Sequence, residues 1–307
     1  MRVFLTGATG FIGSAIVPEL INAGHQVLGL TRSDAGAQSL KAAGAEPHRG
    51  SLEDLGSLRS GAASSDAVIH AAFIHDAFSQ NGGGFPRFIE NCKTDQRAIE
   101  ALGAALAGSG RPLIVSAGIP GNHIPSAPSR LTTEDVDFPA NSPMPRVSEP
   151  AALATLAQGV GASVMRLPQV HDTTKQGLVT YLIEVARQKG VSAYVGDGSN
   201  RWPAAHISDV APLYRLALQK AEPGARYHAV AEEGVPARAI AEAIGHGLNI
   251  PVVSIAPQEA ADHFGWLGFF VGLDMPASSA QTQQRLGWRP TGPGLIADLE
   301  QMRYFES

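Results

Sequence analysis

The residues with the clearest chemical meaning lie at the start of the chain. Gly7-Ala8-Thr9-Gly10-Phe11-Ile12-Gly13 directly follows a short apolar run, Val3 to Thr6, and opens an amphipathic stretch from Phe11 to Ala23. Glycines at this spacing permit a tight turn and let backbone N–H groups approach a pyrophosphate, while the helix N-terminus favours its negative charge. A glycine-rich turn without a ligand is the plainer alternative. The strand–loop–helix context at the head of an alternating chain argues for a dinucleotide. The next apolar run, Gln26 to Leu30, ends in Leu30-Thr31-Arg32-Ser33, where an acidic residue would bind the two ribose hydroxyls of NAD. Arg32 can pair with a 2′-phosphate, and Thr31 or Ser33 can hydrogen-bond it. The expected cofactor is NADP(H) rather than NAD(H), the alternative being a solvated Arg32 that decides nothing. Asp34 lies late for the ribose and is read as a cap of the following helix.

The elements that must position these groups follow from periodicity. Strands are expected at Val3–Thr6, Gln26–Leu30, Glu46–Arg49, Asp66–His70, Pro112–Ser116 and within Val160–Leu167, with helices at Phe11–Ala23, Asp34–Ala43 and Pro86–Ala107. This alternation implies an α/β fold, a Rossmann-type doubly wound parallel sheet with helices on both faces. Residues 118–147 hold six prolines and read as a long loop. Beyond 172, short segments separated by Gly and Pro suggest a smaller C-terminal substrate lobe. The expected division is 1–172, with contributions from 201–222, and 173–307.

Composition narrows the function classes. The chain has 307 residues, 44% hydrophobic and 17% charged, with 34 glycines and 21 prolines, enough to bury a core and build many turns. A formal charge of −5 without a basic run excludes an extended nucleic-acid surface. One cysteine, Cys92, excludes a disulfide framework. Ten histidines show no HxxxH or HExxH spacing, so no metal is expected. The longest apolar stretch, near Phe264 to Leu273, is too short to span a bilayer. No signal peptide is read, and the cytoplasm is the expected location.

Several segments together resemble the extended short-chain dehydrogenases/reductases of the NAD-dependent epimerase/dehydratase type. These are TGATGFIG at 6–13, VIHAAF at 68–73, MRLPQVHD at 165–172, RWPAAHISDVA at 201–211 and RLGWRP at 285–290. The resemblance implies that Ala71, Ala72 and Phe73 border the cofactor. It also puts Ser51, Leu52 and Asp54 on its adenine side, and Pro168 and Val170 near the nicotinamide. It implies a small-molecule substrate, no nucleic acid or membrane, and a homodimer formed through helices around 86–107 and 149–160.

The chain departs from that family in its chemistry. The family uses a Tyr and a Lys spaced YxxxK, the Lys lowering the phenol pKa for proton exchange. Tyr181, Tyr194, Tyr214 and Tyr227 are followed four residues later by Val185, Gly198, Leu218 and Ala231, and Tyr304 has no such position. Aligning Glu149 with the acidic residue after the motif puts Asn141 at the Tyr position and Pro145 at the Lys position, with a helix starting near Ser148 as N-cap. The family's catalytic Ser corresponds to Ser116 or, two residues later, to Gly118. Candidate substitutes are Ser116, His171 and His75. His171 stands where the family has an aromatic beside the nicotinamide, and a His exchanges protons near neutral pH. For His206, Asp209, Tyr181, Trp202 and the Phe264–Phe270 cluster, packing is the favoured role. The first expectation is hydride transfer between NADP(H) and a small carbonyl or alcohol. A catalytically silent NADP(H)-binding sensor and a sugar-nucleotide epimerase/dehydratase are the alternatives.

Overall fold

The computed structural model describes residues 1–78, 83–120, 130–137 and 146–302. The strands are β1 (Arg2–Thr6), β2 (Gln26–Thr31), β3 (Glu46–Arg49), β4 (Ala67–His70), β5 (Pro112–Gly118) and β6 (Gly161–Leu167), then β7 (Gln169–His171), β8 (Ser192–Val195), β9 (Arg201–His206), β10 (Arg226–His228), β11 (Glu232–Pro236) and β12 (Val252–Ile255). The helices are α1 (Phe11–Asn22), α2 (Asp34–Ala42), α3 (Leu55–Ala63), α4 (Gly84–Leu106), α5 (Ser148–Ala154) and α6 (Val179–Lys189), followed by α7 (Ile207–Lys220), α8 (Ala237–Leu248), α9 (Ala260–Phe264), α10 (Gly268–Val271), α11 (Ala280–Leu286) and α12 (Leu295–Glu300). Seven strands form one parallel sheet in the order β10-β6-β5-β4-β1-β2-β3, with the reversal of a doubly wound fold beside β1.

The chain divides into two compact units. The first is Met1–Gly118, Asp137–Arg166 and Val210–Tyr227, and the second is Ile119–Val136, Leu167–Asp209 and His228–Ser307. Residues 119–136 go with the second unit, where Thr132 bridges Ala277. Residues 167–172 and 201–209 also go with it, because β7 and β9 pair in a separate three-stranded sheet, β11-β9-β7.

The core of the first unit joins β1, β2, β4, β5 and β6 to α3, α4 and α5 through Phe4, Leu28, Val68, Leu102, Leu113, Ala152 and Val164. Val, Ile and Leu fill strands buried on both faces, as parallel strands require. Two caps differ from expectation. Ser33, not Asp34, caps α2, accepting from Gly36 N at 3.1 Å. Helix α5 does start at Ser148, but this residue is its first turn and not its cap, and its hydroxyl is directed elsewhere. Helix α3, absent from the sequence reading, is capped by Asp54, which accepts from Ser57 N at 3.0 Å.

Buried charge fixes α5. Glu149 accepts a bidentate pair from Arg166, both bonds 2.7 Å, with both side chains at most 1% exposed. Arg226 Nε adds a third bond at 2.8 Å, and its Nη2 holds Asp137 at 2.6 Å. Removing one partner of such a pair leaves an uncompensated charge in the interior, whereas replacing both by apolar groups is often neutral. Glu149→Gln should therefore lose about 3–5 kcal/mol of unfolding free energy. The double variant Glu149→Leu/Arg166→Met should recover much of it, as measured by denaturant titration.

Candidate active site

The glycine loop behaves as backbone. Gly7 has φ +71°, which an L side chain rarely adopts, and its carbonyl accepts from Gly10 N at 2.8 Å. A Cβ on Gly13 would lie 2.0 Å from the Gly7 carbonyl oxygen, and one on Gly7 would lie 2.9 Å from Ala71 and Ala72 backbone. These two glycines let the loop press against α1 and against the chain leaving β4. Gly10 differs. It has extended backbone, φ −83° and ψ 173°, and a Cβ there would meet only the Gly7 oxygen, at 3.2 Å. Thr9, Phe11 and Ile12 complete the loop at the N-terminus of α1. The arrangement is a cradle of backbone at a helix N-terminus, which suits a pyrophosphate.

At the end of β2, Arg32 is exposed and has no ion-pair partner among the described residues, while Asp34 pairs with Arg49 at 3.2 Å. Ser33 spends its oxygen on the α2 cap, and Thr31 is buried with its hydroxyl 3.4 Å from the Ser33 carbonyl. Ser51 accepts from Glu53 N at 3.2 Å, and Leu52 packs in the core of the first unit.

A chain of hydrogen bonds crosses the C-terminal end of the sheet and converges on one carboxylate, Asp95 of α4. Parallel register sets Thr6 beside His70. Ala72 N donates to Thr6 Oγ1 at 3.3 Å, and Thr6 Oγ1 lies 2.8 Å from His70 Nδ1. His70 Nε2 lies 3.1 Å from Asp95 Oδ1. From the other side, Arg146 Nε donates to Ser148 Oγ at 2.8 Å, and Ser148 donates to Asp95 Oδ2 at 2.5 Å. A carboxylate oxygen only accepts, so His70 Nε2 carries a proton and donates to Asp95. Burial pushes the Asp95 carboxyl up, but His70, Arg146 and Ser148 outweigh it and hold the group below the usual carboxylate range. Arg146 Nη2 reaches the Ser116 carbonyl at 3.2 Å, and its guanidinium carbon sits 4.2 Å from the centre of the Phe73 ring.

Ser116 is buried and faces inward. Its hydroxyl donates to the His70 carbonyl at 2.9 Å and lies 2.7 Å from the hydroxyl of Tyr214 on α7. Burial pushes the Tyr214 phenol well up, and the Ser116 bond and nearby Arg146 only partly oppose this, so it stays protonated. Gly118 has open space where a Cβ would be. His75 is exposed, its ring 5.0 Å from that of Phe73. The adjacent Asp76 pairs with Arg87 at 2.8 Å. Asn141 and Pro145 lie outside the described residues. Burial raises the Cys92 thiol to about 11, leaving it unreactive near neutral pH.

Pro168, Val170 and His171 belong to the second unit. His171 is fully buried, with Nδ1 2.6 Å from Asp298 Oδ2 of α12 and Nε2 3.9 Å from Glu232 Oε2. Its ring centre is 5.6 Å from that of His206. Burial lowers its pKa, with Asp298 and Glu232 acting against it. Asp209 accepts from Thr291 N and Gly292 N, both at 2.9 Å, and is structural. Trp202 is core, donating to the Leu273 carbonyl at 3.2 Å, and Phe264 is buried, whereas Phe269 is half exposed. Among the described residues no group of His, Cys, Asp and Glu could hold a metal ion, and no helix is long and apolar enough to cross a membrane.

Sequence reasoning missed Arg146, Ser148 and Asp95 as site residues, and Tyr214 as the partner of Ser116. The signal for Arg146 was present: a cation just before a short helix opening Ser148-Glu149, one residue beyond the position aligned with the family's Lys.

Comparison with known proteins bears on the fold and the family. An uncharacterized protein of Schizosaccharomyces pombe is 48% identical over 307 residues, 99% of this chain and 100% of that protein. A 2-alkyl-3-oxoalkanoate reductase of Stenotrophomonas maltophilia is 28% identical over 235 residues, 73% of this chain and 67% of that one. In fold, the chain is similar to a dTDP-glucose 4,6-dehydratase of Streptomyces venezuelae solved with NAD bound, with a TM-score of 0.75 at 20% identity over 99% of this chain and 96% of that one. The model of the NAD dependent epimerase/dehydratase family matches residues 3–231. With its glycine cradle, doubly wound sheet and this match across three quarters of its length, the chain belongs to the NAD dependent epimerase/dehydratase family, whose members are NAD(P)-dependent oxidoreductases and epimerases.

Proposed function

We propose that this protein is an NADP(H)-dependent oxidoreductase acting on a small carbonyl or alcohol without a Tyr–Lys pair. The observation that carries the reading is the glycine cradle, where Gly10 alone leaves room above the loop. When bound, the nicotinamide cofactor supplies hydride exchange. The chain's own residues bind and orient. Gly7, Thr9, Gly10, Phe11, Ile12 and Gly13 hold the pyrophosphate at the start of α1. Arg32, exposed and without an ion-pair partner among the described residues, takes the 2′-phosphate, with Ser33 beside it. Ser51 and Leu52 border the adenine, Ala71, Ala72 and Phe73 border the cofactor, and the family resemblance puts Pro168 and Val170 near the nicotinamide. The reading extends to a cytoplasmic enzyme that dimerises through the helices around 86–107 and 149–160.

For the proton, three groups are proposed. Ser116 shares a hydrogen bond with Tyr214. His171 exchanges with Asp298. His75 is the exposed one. A catalytically silent NADP(H) sensor is the second reading, favoured by the missing YxxxK spacing. The same absence weakens a sugar-nucleotide epimerase.

Three outcomes test this reading. Gly10→Val should abolish nucleotide binding in calorimetry yet melt within a few degrees of the parent, because its Cβ meets only one atom; an unchanged affinity would remove the cradle from the argument. Arg32→Ala should weaken NADPH about tenfold or more and NADH little, since a charge-assisted phosphate contact is worth roughly 1.5–3 kcal/mol. With NADPH and a panel of small ketones and aldehydes, substituting the true donor among Ser116→Ala, His171→Phe and His75→Phe should lower kcat by about 10²–10⁴-fold with NADPH affinity kept. Tight NADPH binding with no turnover on any substrate would favour the sensor.

A further inference from the structure

Arg146 has more capacity than its structural contacts use. Its Nε is taken by Ser148 and its Nη2 by the Ser116 carbonyl, while Nη1 has no hydrogen-bond partner among the described residues. Its side chain is 24% exposed. The guanidinium is not free to wander, because Ser148 hands its Nε bond to Asp95, and Asp95 is held in turn by His70 and Thr6, all within the interior. A cation fixed in this way, with both N–H bonds of Nη1 left over, is a preorganised receptor for one oxygen atom.

An aromatic array adjoins it. Arg146 lies on the face of Phe73, whose ring is 6.1 Å from Phe88, and Phe88 is 6.0 Å from Phe85. Phe85, in the first turn of α4, is 52% exposed. A row of rings that ends in an exposed Phe at one side and a fixed guanidinium at the other has a polarity of its own. It suits a flat apolar body with an oxygen acceptor at its end. Phe73 follows Ala72 directly, and the Ala72 backbone packs against Gly7, so the array starts beside the nucleotide loop.

From this juxtaposition we infer that Arg146 and the Phe73–Phe88–Phe85 row form the substrate site of the first unit, and that its substrates are aryl carbonyl compounds. The carbonyl oxygen accepts from Arg146 Nη1, and the ring lies along the phenylalanines. This rests on the oxidoreductase reading for the word substrate, but not for binding.

The test is binding without cofactor. Acetophenone and cyclohexyl methyl ketone share a carbonyl and differ in whether the ring is flat. Titrated into the full chain and followed by saturation-transfer NMR, acetophenone should bind about fivefold or more tighter, as offset aromatic contacts favour it. Arg146→Met should weaken both ketones about tenfold, the loss of a charged hydrogen bond. Phe85→Ser, at an exposed position that does not threaten folding, should erase the preference for acetophenone while leaving the saturated ketone unchanged. NADPH affinity and thermal melting serve as fold controls for each variant. Equal affinity for the two ketones in the parent, or a preference that survives Phe85→Ser, would overturn the inference, even if Arg146→Met proved unfolded. Acetophenone bound with this pattern but never reduced would leave the site standing and remove the reductase reading. Turnover of ketones with no aryl preference in binding would do the reverse.

Discussion

The first turn of α5 carries two side chains on which the candidate site depends. Ser148 donates to the buried Asp95 carboxylate, and the adjacent Glu149 is locked to Arg166 and Arg226. The helix is only seven residues long and has no side-chain N-cap, so its own hydrogen bonds cannot hold it in place. Long-range charge holds it instead. Its position then places Arg146, two residues earlier, against Phe73 and the end of β5. The cation beside the end of β5 is therefore a guanidinium whose place is set by α5.

The same C-terminal end of the sheet explains why the other polar groups are quiet. Thr6 and His70 are buried, and their hydrogen bonds lead to Asp95. A carboxylate that collects donors from β4, α5 and, through His70, from β1 ties three elements together where the nucleotide loop begins. An unsatisfied member would cost more than the network gains, which is why such chains are complete or absent. Ser116 and Tyr214 close a second, smaller circuit on β5 and α7.

In the second unit the corresponding strut is His171. It joins β7 to α12 through Asp298, while Glu232 of β11 accepts from Leu295 N at 2.7 Å and so caps the same helix. A six-residue helix is thereby fastened to the three-stranded sheet by two carboxylates and a buried imidazole.

What the sequence determined by itself is what depends on neighbours in the chain. The strand–loop–helix around Gly7, Gly10 and Gly13, the alternation that makes a doubly wound sheet, and the lack of any tyrosine with a lysine four residues on were all legible, because backbone freedom and periodicity are local. Most strand limits came within two residues for the same reason. Helix α3 was missed although Asp54 is an ordinary cap signal, since its Leu and Ala positions are sparse. What only the tertiary structure decided is where side chains go. Ser148 meets Asp95 across 53 residues, Ser116 meets Tyr214 across 98, and His171 meets Asp298 across 127. No local pattern encodes such pairings. They arise because burial forces each polar group to find a partner, and the fold alone settles which partners are within reach.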